Sequence, residues 1–156
     1  MRSGISLHDV VIEKFNLMKI PKPGQAKRKF LRLRLSEDGK HLVEDDECET
    51  QQQTCTDGYK QLLSHLQSKH CCFLICDISY DTNDSLTRED LILIQWCPSE
   101  AAIKERVQFS STKEEVKSKL RGIRFDLEVN SLDDIDLSIL ADKLGKNVVR
   151  IEGVPV

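Results

Sequence analysis

The sequence lacks a long apolar run and lacks the compact motifs that mark common enzymes. No stretch of its 156 residues approaches the roughly 20 apolar residues of a membrane-spanning helix. Asp9 and Glu13 interrupt the apolar residues near the start, so we expect no secretory leader. There is no glycine-rich phosphate loop, no serine elbow and no His-Glu zinc helix. These absences argue against a membrane protein, a secreted protein and the best-marked enzyme classes.

The cysteines have none of the spacings typical of a metal site. No pair shows the two-residue gap of a zinc knuckle. Adjacent side chains of a strand point to opposite faces, so Cys71 and Cys72 cannot share one ion. We interpret the cysteines as core residues, with a thiol-dependent enzyme using Cys71 or Cys97 as the alternative. Reduced thiols are expected at Cys48, Cys55, Cys71, Cys72, Cys76 and Cys97.

Charge of neither sign dominates, since the formal net charge is -3. That balance is too mild to indicate nucleic acid as a partner. The distribution is uneven, however, because residues 27–34 and 113–124 are basic while residues 44–49 and 126–136 are acidic. Such asymmetry indicates directional docking on a charged partner. A composition of 39% hydrophobic and 31% charged residues fits one soluble domain, residues 1–156, with residues 1–7 as a mobile arm.

Apolar periodicity predicts the elements of a mixed α/β fold. Asp9 is expected to cap a first helix, and residues 31–35 alternate as a strand whose outer face carries Arg32 and Arg34. Asp38-Gly39 predicts a hairpin turn into a strand at residues 41–43. Residues 44–56 have no period and are interpreted as a loop. A short helix at residues 59–66 and two doubly covered strands at 71–76 and 91–97 follow.

The remaining third of the chain predicts a long helix, a strand and a last helix. Pro98 and Ser99 suit the start of the long helix, whose apolar pairs are Ile103 with Val107 and Val116 with Leu120. A capping-box pattern from Ser111 predicts a kink or a fresh start there. Residues 123–129 alternate as a strand, and a capping box at residues 131–134 precedes a helix that ends at residue 145. The order predicts a central mixed sheet of about five strands, flanked on both faces by helices.

The long helix resembles the actin-binding helix of the ADF/cofilin family. Its Lys-x-Arg pair is followed by an apolar residue, by an aromatic two positions further on, and by Ser-Ser-x-Lys-acid at residues 110–114. The likeness continues in order through the chain except for about residues 44–58. The further blocks are Ser3-Gly4, Val11-Ile12 with Phe15 and Met18-Lys19, Lys27-Arg28-Lys29, Leu35-Ser36-Glu37-Asp38, Glu89-Asp90-Leu91, Trp96-x-Pro98, Leu144-Gly145 and Glu152-Gly153-x-Pro155.

The resemblance implies an ADF-homology, gelsolin-like fold and an actin-binding protein that is not an enzyme and needs no cofactor. Such a protein binds actin monomers and filaments and promotes depolymerisation and severing. A coactosin-like protein, which binds filaments without severing them, is the nearer alternative. The Ser3-Gly4 arm and the Lys104-x-Arg106 pair argue against that alternative. We expect a monomer in the cytoplasm, on the cytoskeleton.

The resemblance also implies which residues act. For monomers and filaments they are Ser3, Gly4, Lys104, Arg106, Val107, Lys113, Glu114 and Lys117; for filaments alone they are Arg88, Asp90, Asp142 and Lys143. Phosphatidylinositol phosphates would bind Lys117, Lys119 and Arg121. A kinase and a phosphatase would regulate Ser3, although Arg2 departs from the usual small residue.

Two further expectations come from blocks of the family. Lys27, Arg28 and Lys29 match a basic block associated with nuclear import, and an ordinary solvated strand entry is the alternative. The histidine of vertebrate-type members is replaced by Phe125, which cannot titrate. The resemblance implies that this histidine couples the release of phosphatidylinositol phosphates to pH. We therefore expect such release near neutral pH to be weak or absent in this protein.

Overall fold

The computed structural model describes residues 4–20, 22–24, 28–45, 58–66 and 69–156. Within these residues the chain forms a single sheet with helices on both sides. In chain order the elements are β1 (Ser6–Leu7), α1 (Asp9–Lys19), β2 (Phe30–Leu35), β3 (His41–Glu44), α2 (Gly58–Ser64), β4 (Cys72–Thr82), β5 (Thr87–Trp96), α3 (Ile103–Lys119), β6 (Ile123–Val129), a 3-10 helix (Leu132–Ile135), α4 (Leu137–Leu144), β7 (Val148–Ile151) and β8 (Val154–Pro155). No helix among the described residues is long and apolar enough to span a membrane.

The sheet is mixed and is built around β4. Its main strand order is β1-β3-β2-β4-β5-β6, and the pairs β1/β3 and β5/β6 are parallel. β4 is 11 residues long, so one of its edges pairs with β2 through residues 73–76 and with β7 through residues 80–82. Its other edge is occupied by β5 along nearly its whole length.

Alternate residues of β4 belong to two different cores. Phe73 and Ile75 pack with α1 and α3, whereas Leu74 and Cys76 pack with α2, the 3-10 helix and α4. All four side chains are at most 1% exposed. The absence of polar alternation in this stretch is thus explained, and the prediction of helices on both faces is confirmed. Cys71 and Cys72 also lie on opposite faces, as predicted.

The sheet has more strands than the five predicted from the sequence. The described residues form eight strands, and β1, β7 and β8 had not been predicted. These strands have only two to four residues, which is too short for an alternating pattern to be recognised. The prediction of a mobile arm at residues 1–7 is wrong for Ile5, Ser6 and Leu7. Ser6 and Leu7 pair with β3, and Ile5 and Leu7 are buried. Residues 1–3 lie outside the described residues.

The prediction that β2 has a basic, solvent-facing side is wrong for Arg32. Arg32 is only 6% exposed. Its Nε lies 3.2 Å from Asp45 Oδ2, and its Nη1 donates to the carbonyl of His65 at 3.3 Å. The turn that follows α2 covers this side of β2, so the charge of Arg32 lies in a buried ion pair and not in solvent.

The Asp38-Gly39 turn is confirmed, with Gly39 at φ +70°. Most of the loop expected at residues 44–56 lies outside the described residues.

His65 is a buried titratable side chain in this region. It is fully buried, and neither ring nitrogen has a hydrogen-bond partner among the described residues. Its ring centroid lies 4.8 Å from that of Phe30. Burial, reinforced by the positive charge of Arg32, lowers the pKa of His65 from 6.5 to about 4. The imidazole is therefore neutral in the folded protein at neutral pH.

Substituting His65 should make the fold less sensitive to acid. The unfolded chain binds a proton on His65 below about pH 6.5, while the folded protein resists it until about pH 4. Wild-type stability should therefore fall progressively through this window. Between pH 7.5 and pH 5.0 this one group should cost about 2 kcal/mol of unfolding free energy.

Urea unfolding of wild type and His65→Leu at both pH values measures this contribution. The variant should lose about 2 kcal/mol less than wild type on acidification. Leu63→Ala removes an apolar side chain of α2 without removing a titratable group, so it is the control and should show the same pH dependence as wild type. Parallel pH dependence of wild type and His65→Leu would contradict the assignment.

Candidate functional site

The outward face of α3 carries two aliphatic side chains that the fold does not use. Ile103 is 79% exposed and Val107 is 61% exposed. The opposite side of the helix is buried through Phe109, Val116 and the adjoining Leu120. The Phe109 ring lies 5.0 Å from the Phe73 ring of β4. The helix thus anchors itself to the sheet with one side and leaves an apolar ridge, Ile103 and Val107, on the other.

Helix α3 is continuous, which corrects two expectations. It begins at Ile103, with Ala102 as N-cap, instead of at Ser99. It does not start afresh at Ser111, because the Ser111 hydroxyl donates back to the Val107 carbonyl at 2.8 Å. Thr112 likewise donates to the carbonyl of Gln108 at 2.5 Å. Hydroxyl bonds of this kind to the preceding turn often bend helices without ending them.

The ridge borders a groove of about 1200 Å³ between α3 and the start of the described chain. Gly4, Ile5 and Ser6 line it on one side, and Arg106 with the ridge lines the other. Lys104 instead lines a separate cavity of about 470 Å³ beside β2. Residues two apart on a helix point about 200° apart. Lys104 and Arg106 therefore lie on opposite flanks of the ridge.

Two other lysines of α3 are already paired inside the protein. Lys113 Nζ lies 3.1 Å from Asp126 Oδ2, and Lys117 Nζ lies 3.0 Å from Asp126 Oδ1. Partial burial works to raise the pKa of Asp126, but the hydrogen bonds from Lys117 and Lys113 outweigh it and hold the pKa below its usual value. The same contact raises the pKa of Lys117. Glu114 is largely exposed and lies 4.0 Å from Lys117.

The residues expected to contact only filaments lie elsewhere, on β5 and α4. Arg88, Asp142 and Lys143 are exposed. Asp90 is half-buried and accepts hydrogen bonds at 2.5 Å from both Tyr80 and Arg124. Arg88 and Asp90 had been expected at a strand mouth but lie within β5, because β4 and β5 pair as far as Thr87. Neither Tyr80 nor Arg124 could be recognised as a partner from the sequence, because both are distant from Asp90 along the chain.

The remaining basic residues divide into exposed and paired ones. Lys119 and Arg121 are exposed near the end of α3. Arg28 pairs with Glu44, and Lys29 pairs with Glu152. An import signal must be accessible, so these two ion pairs argue against import. They also differ from the alternative of a solvated strand entry, because Glu44 and Glu152 rather than water pair with the two side chains. Lys27 and Ser3 lie outside the described residues.

The cysteines among the described residues lack the features of a reactive site; Cys48 and Cys55 lie outside those residues. Cys71, Cys72, Cys76 and Cys97 are buried and form no disulfide. Burial raises the pKa of the Cys71 thiol, and its hydrogen bond with Cys97 raises it further. A thiol nucleophile requires the opposite shift. Among the described residues no group of three metal-ligating side chains comes together.

The family of cofilin/tropomyosin-type actin-binding proteins matches residues 4–145 of the chain. The chain therefore belongs to this family. Similar solved structures include the cofilin of Streptomyces griseoflavus, at 20% identity and a TM-score of 0.73, covering 92% of this chain and 99% of that one. Plasmodium berghei actin depolymerization factor 2 has 22% identity and a TM-score of 0.71, covering 90% and 97%. Coactosin from Entamoeba histolytica has 19% identity and a TM-score of 0.69, covering 91% and 95%. At these identities the structures establish the fold, which confirms the predicted ADF-homology class.

Removing the Asp126 carboxylate should loosen α3 from β6. Asp126→Asn should lower the unfolding free energy by about 1 kcal/mol at pH 7, since both partly exposed ion pairs are lost together. The lowered pKa means that this contribution is present above about pH 4 and disappears as acid protonates the carboxyl. Urea unfolding at pH 7 and pH 3 tests the expectation.

Glu114→Gln is the matched control, since it also removes one acidic charge near Lys117. It should leave the unfolding free energy unchanged, because Glu114 is exposed and its contact is long. An equal loss in both variants would show that general charge, and not the Asp126 contacts, is responsible.

Proposed function

We propose that this chain is a cofilin-type protein that binds monomeric and filamentous actin and promotes filament depolymerisation and severing. The observation that carries the proposal is the exposed ridge of Ile103 and Val107, flanked by Lys104 and Arg106 and adjoining the segment that begins at Gly4. Membership of an actin-binding family supports the choice of partner.

The ridge supplies the apolar part of the contact. Fully burying an aliphatic side chain of this size is worth about 1.5–3 kcal/mol. Ile103 and Val107 gain little of this in the free protein, so most of the energy is available for a partner. An amphipathic helix laid into an apolar groove is an established mode of recognition. Actin would supply that groove and surround it with acidic side chains.

The flanking charges supply orientation. No ion pair joins Lys104 or Arg106 to other described residues, so each side chain is available to an acidic partner. Lys113 and Lys117 must share Asp126 with the partner or leave it, which reduces their net contribution. We therefore expect Lys104 and Arg106 to contribute more to affinity than the two later lysines. Glu114 lies on the same outward face and is expected at the edge of the contact.

A second surface would distinguish filaments from monomers. Arg88 on β5 and Asp142 with Lys143 on α4 are exposed away from the ridge and are proposed to contact the adjacent filament subunit. A protein that binds a twisted filament better than a relaxed one shifts the filament population toward the twisted state. Severing and subunit loss would follow from that shift.

Regulation is proposed on the same basis. Phosphorylation of Ser3 by a kinase would add about -1.5 to -2 charges next to an acidic partner, and a phosphatase would reverse it. Phosphatidylinositol phosphates would compete by binding Lys117, Lys119 and Arg121. Phe125 cannot titrate, so we propose that this lipid binding is insensitive to pH near neutrality. A cytoplasmic, cytoskeletal location agrees with these partners.

Replacing both flanking cations should abolish monomer binding without affecting the fold. Truncating a buried interfacial charge costs about 2–5 kcal/mol. Lys104→Ala with Arg106→Ala should therefore weaken the affinity for actin monomers by at least about 30-fold. Titration of fluorescently labelled monomeric actin measures the affinity. Lys22→Ala with Lys40→Ala removes the same charge at exposed positions elsewhere and should bind like wild type.

Sedimentation with actin filaments completes the test. Actin released to the supernatant, together with shorter filaments under the microscope, supports the cofilin-type activity. Bound protein without released actin or shortening would favour a coactosin-like filament binder. If wild type bound neither form of actin, or if the double variant bound monomers like wild type, the proposed interface would be rejected.

A further inference from the structure

Arg124 of β6 joins three separate elements through one guanidinium group. Its Nη1 donates to Asp90 Oδ2 of β5 at 2.5 Å and to the Tyr80 hydroxyl of β4 at 2.6 Å. Its Nη2 donates to the carbonyl of Leu144 at 2.6 Å. Leu144 is the last residue of α4, where Gly145 ends the helix. One side chain thus connects the β4–β5 hairpin to the C-terminus of α4.

Each contact has a definite physical role. The last carbonyls of a helix have no partner within it, and a cation at this end also complements the helix dipole. Tyr80 is buried, and its hydroxyl donates to Asp90 at 2.5 Å, which fixes the carboxylate from the core side. Asp90 in turn orients the guanidinium. The arrangement uses the planar guanidinium of arginine, because two separate nitrogens donate to Asp90 and to the Leu144 carbonyl. The ammonium group of a lysine has one nitrogen and cannot reproduce this geometry.

The orientation of α4 depends on such directional contacts. The helix has only eight residues, and it packs on the sheet through Leu140, Ala141 and Leu144. Apolar contacts hold a helix on a core but are not directional. The hydrogen bond from Arg124 therefore fixes the end of the helix that carries Asp142 and Lys143. Arg88 is two residues before Asp90, on the strand at the other end of the network.

We propose that Arg124 is a positioning residue for the filament-specific surface, holding Asp142 and Lys143 of α4 at a fixed place relative to Arg88 of β5. The inference rests on the proposed function and revises one expectation of the sequence analysis, that Asp90 contacts the filament. Asp90 acts through Arg124 instead of contacting the filament itself. The ridge on α3 is a separate surface, so monomer binding does not depend on this network.

The experiment compares filament and monomer affinities of the wild type and Arg124→Gln. We expect filament affinity to fall by about tenfold, equivalent to about 1.4 kcal/mol, while monomer affinity stays within about twofold. Arg124→Lys keeps the charge but lacks the fork, and it should remain defective. Arg150→Gln removes an exposed arginine of β7 outside the network and should behave like wild type. Asp90→Asn supplies a second way to break the network if Arg124→Gln does not fold.

A double-mutant cycle separates positioning from direct contact. If Arg124 acts through α4, then Arg124→Gln should weaken filament binding little further in a background of Asp142→Ala with Lys143→Ala. Additive losses, full activity of Arg124→Lys, or equal losses for monomers and filaments would each overturn the inference. Wild-type protein that binds no filaments would reject the proposed function as well, whereas wild-type binding with an unaffected Arg124→Gln would reject the inference alone.

Discussion

Burial of β4 between two layers of helices is the interaction on which the rest of the structure depends. Phe73 and Ile75 face α1 and α3, and Leu74 and Cys76 face α2 and α4. Fully burying a side chain such as Phe73, Leu74 or Ile75 is worth about 1.5–3 kcal/mol. The same strand also pairs with β2, β5 and β7, so it sets the register of the sheet and the position of every helix that packs on it.

Packing on this strand divides α3 into a structural side and a free side. Phe109 and Val116 hold the helix on the sheet, and Asp126 holds its basic flank through Lys113 and Lys117. Ile103 and Val107 lie on the exposed side of the helix and do not pack in the core. The other helix layer places α4 beside the β4–β5 hairpin, where Arg124 joins them. Two separate surfaces on one rigid sheet are the arrangement that the proposed binding of two actin subunits requires.

Elements with strong periodicity could be predicted from the sequence, and contacts between distant residues could not. Burial on both faces of β4, the β2–β3 turn and the helix that ends at Gly145 each leave a local pattern. β1, β7 and β8 are too short to leave one. The alternating pattern predicts that Arg32 is exposed, because the turn that covers it lies 33 residues later in the chain and leaves no local signal. For the same reason the sequence indicates Lys113 and Lys117 as basic residues but does not reveal that Asp126 already binds both, or that Asp90 is held by Arg124.

The most direct test of the central claim is hydroxyl-radical footprinting of the α3 ridge with and without monomeric actin. Ile103 and Ile20 are both 79% exposed in the free protein, so they should be oxidised to similar extents. Saturating actin should protect Ile103 and Val107, while Ile20, on the segment after α1, remains as reactive as before. Unchanged oxidation of Ile103 and Val107 in a complex confirmed to have formed would contradict the claim that this face of α3 binds actin.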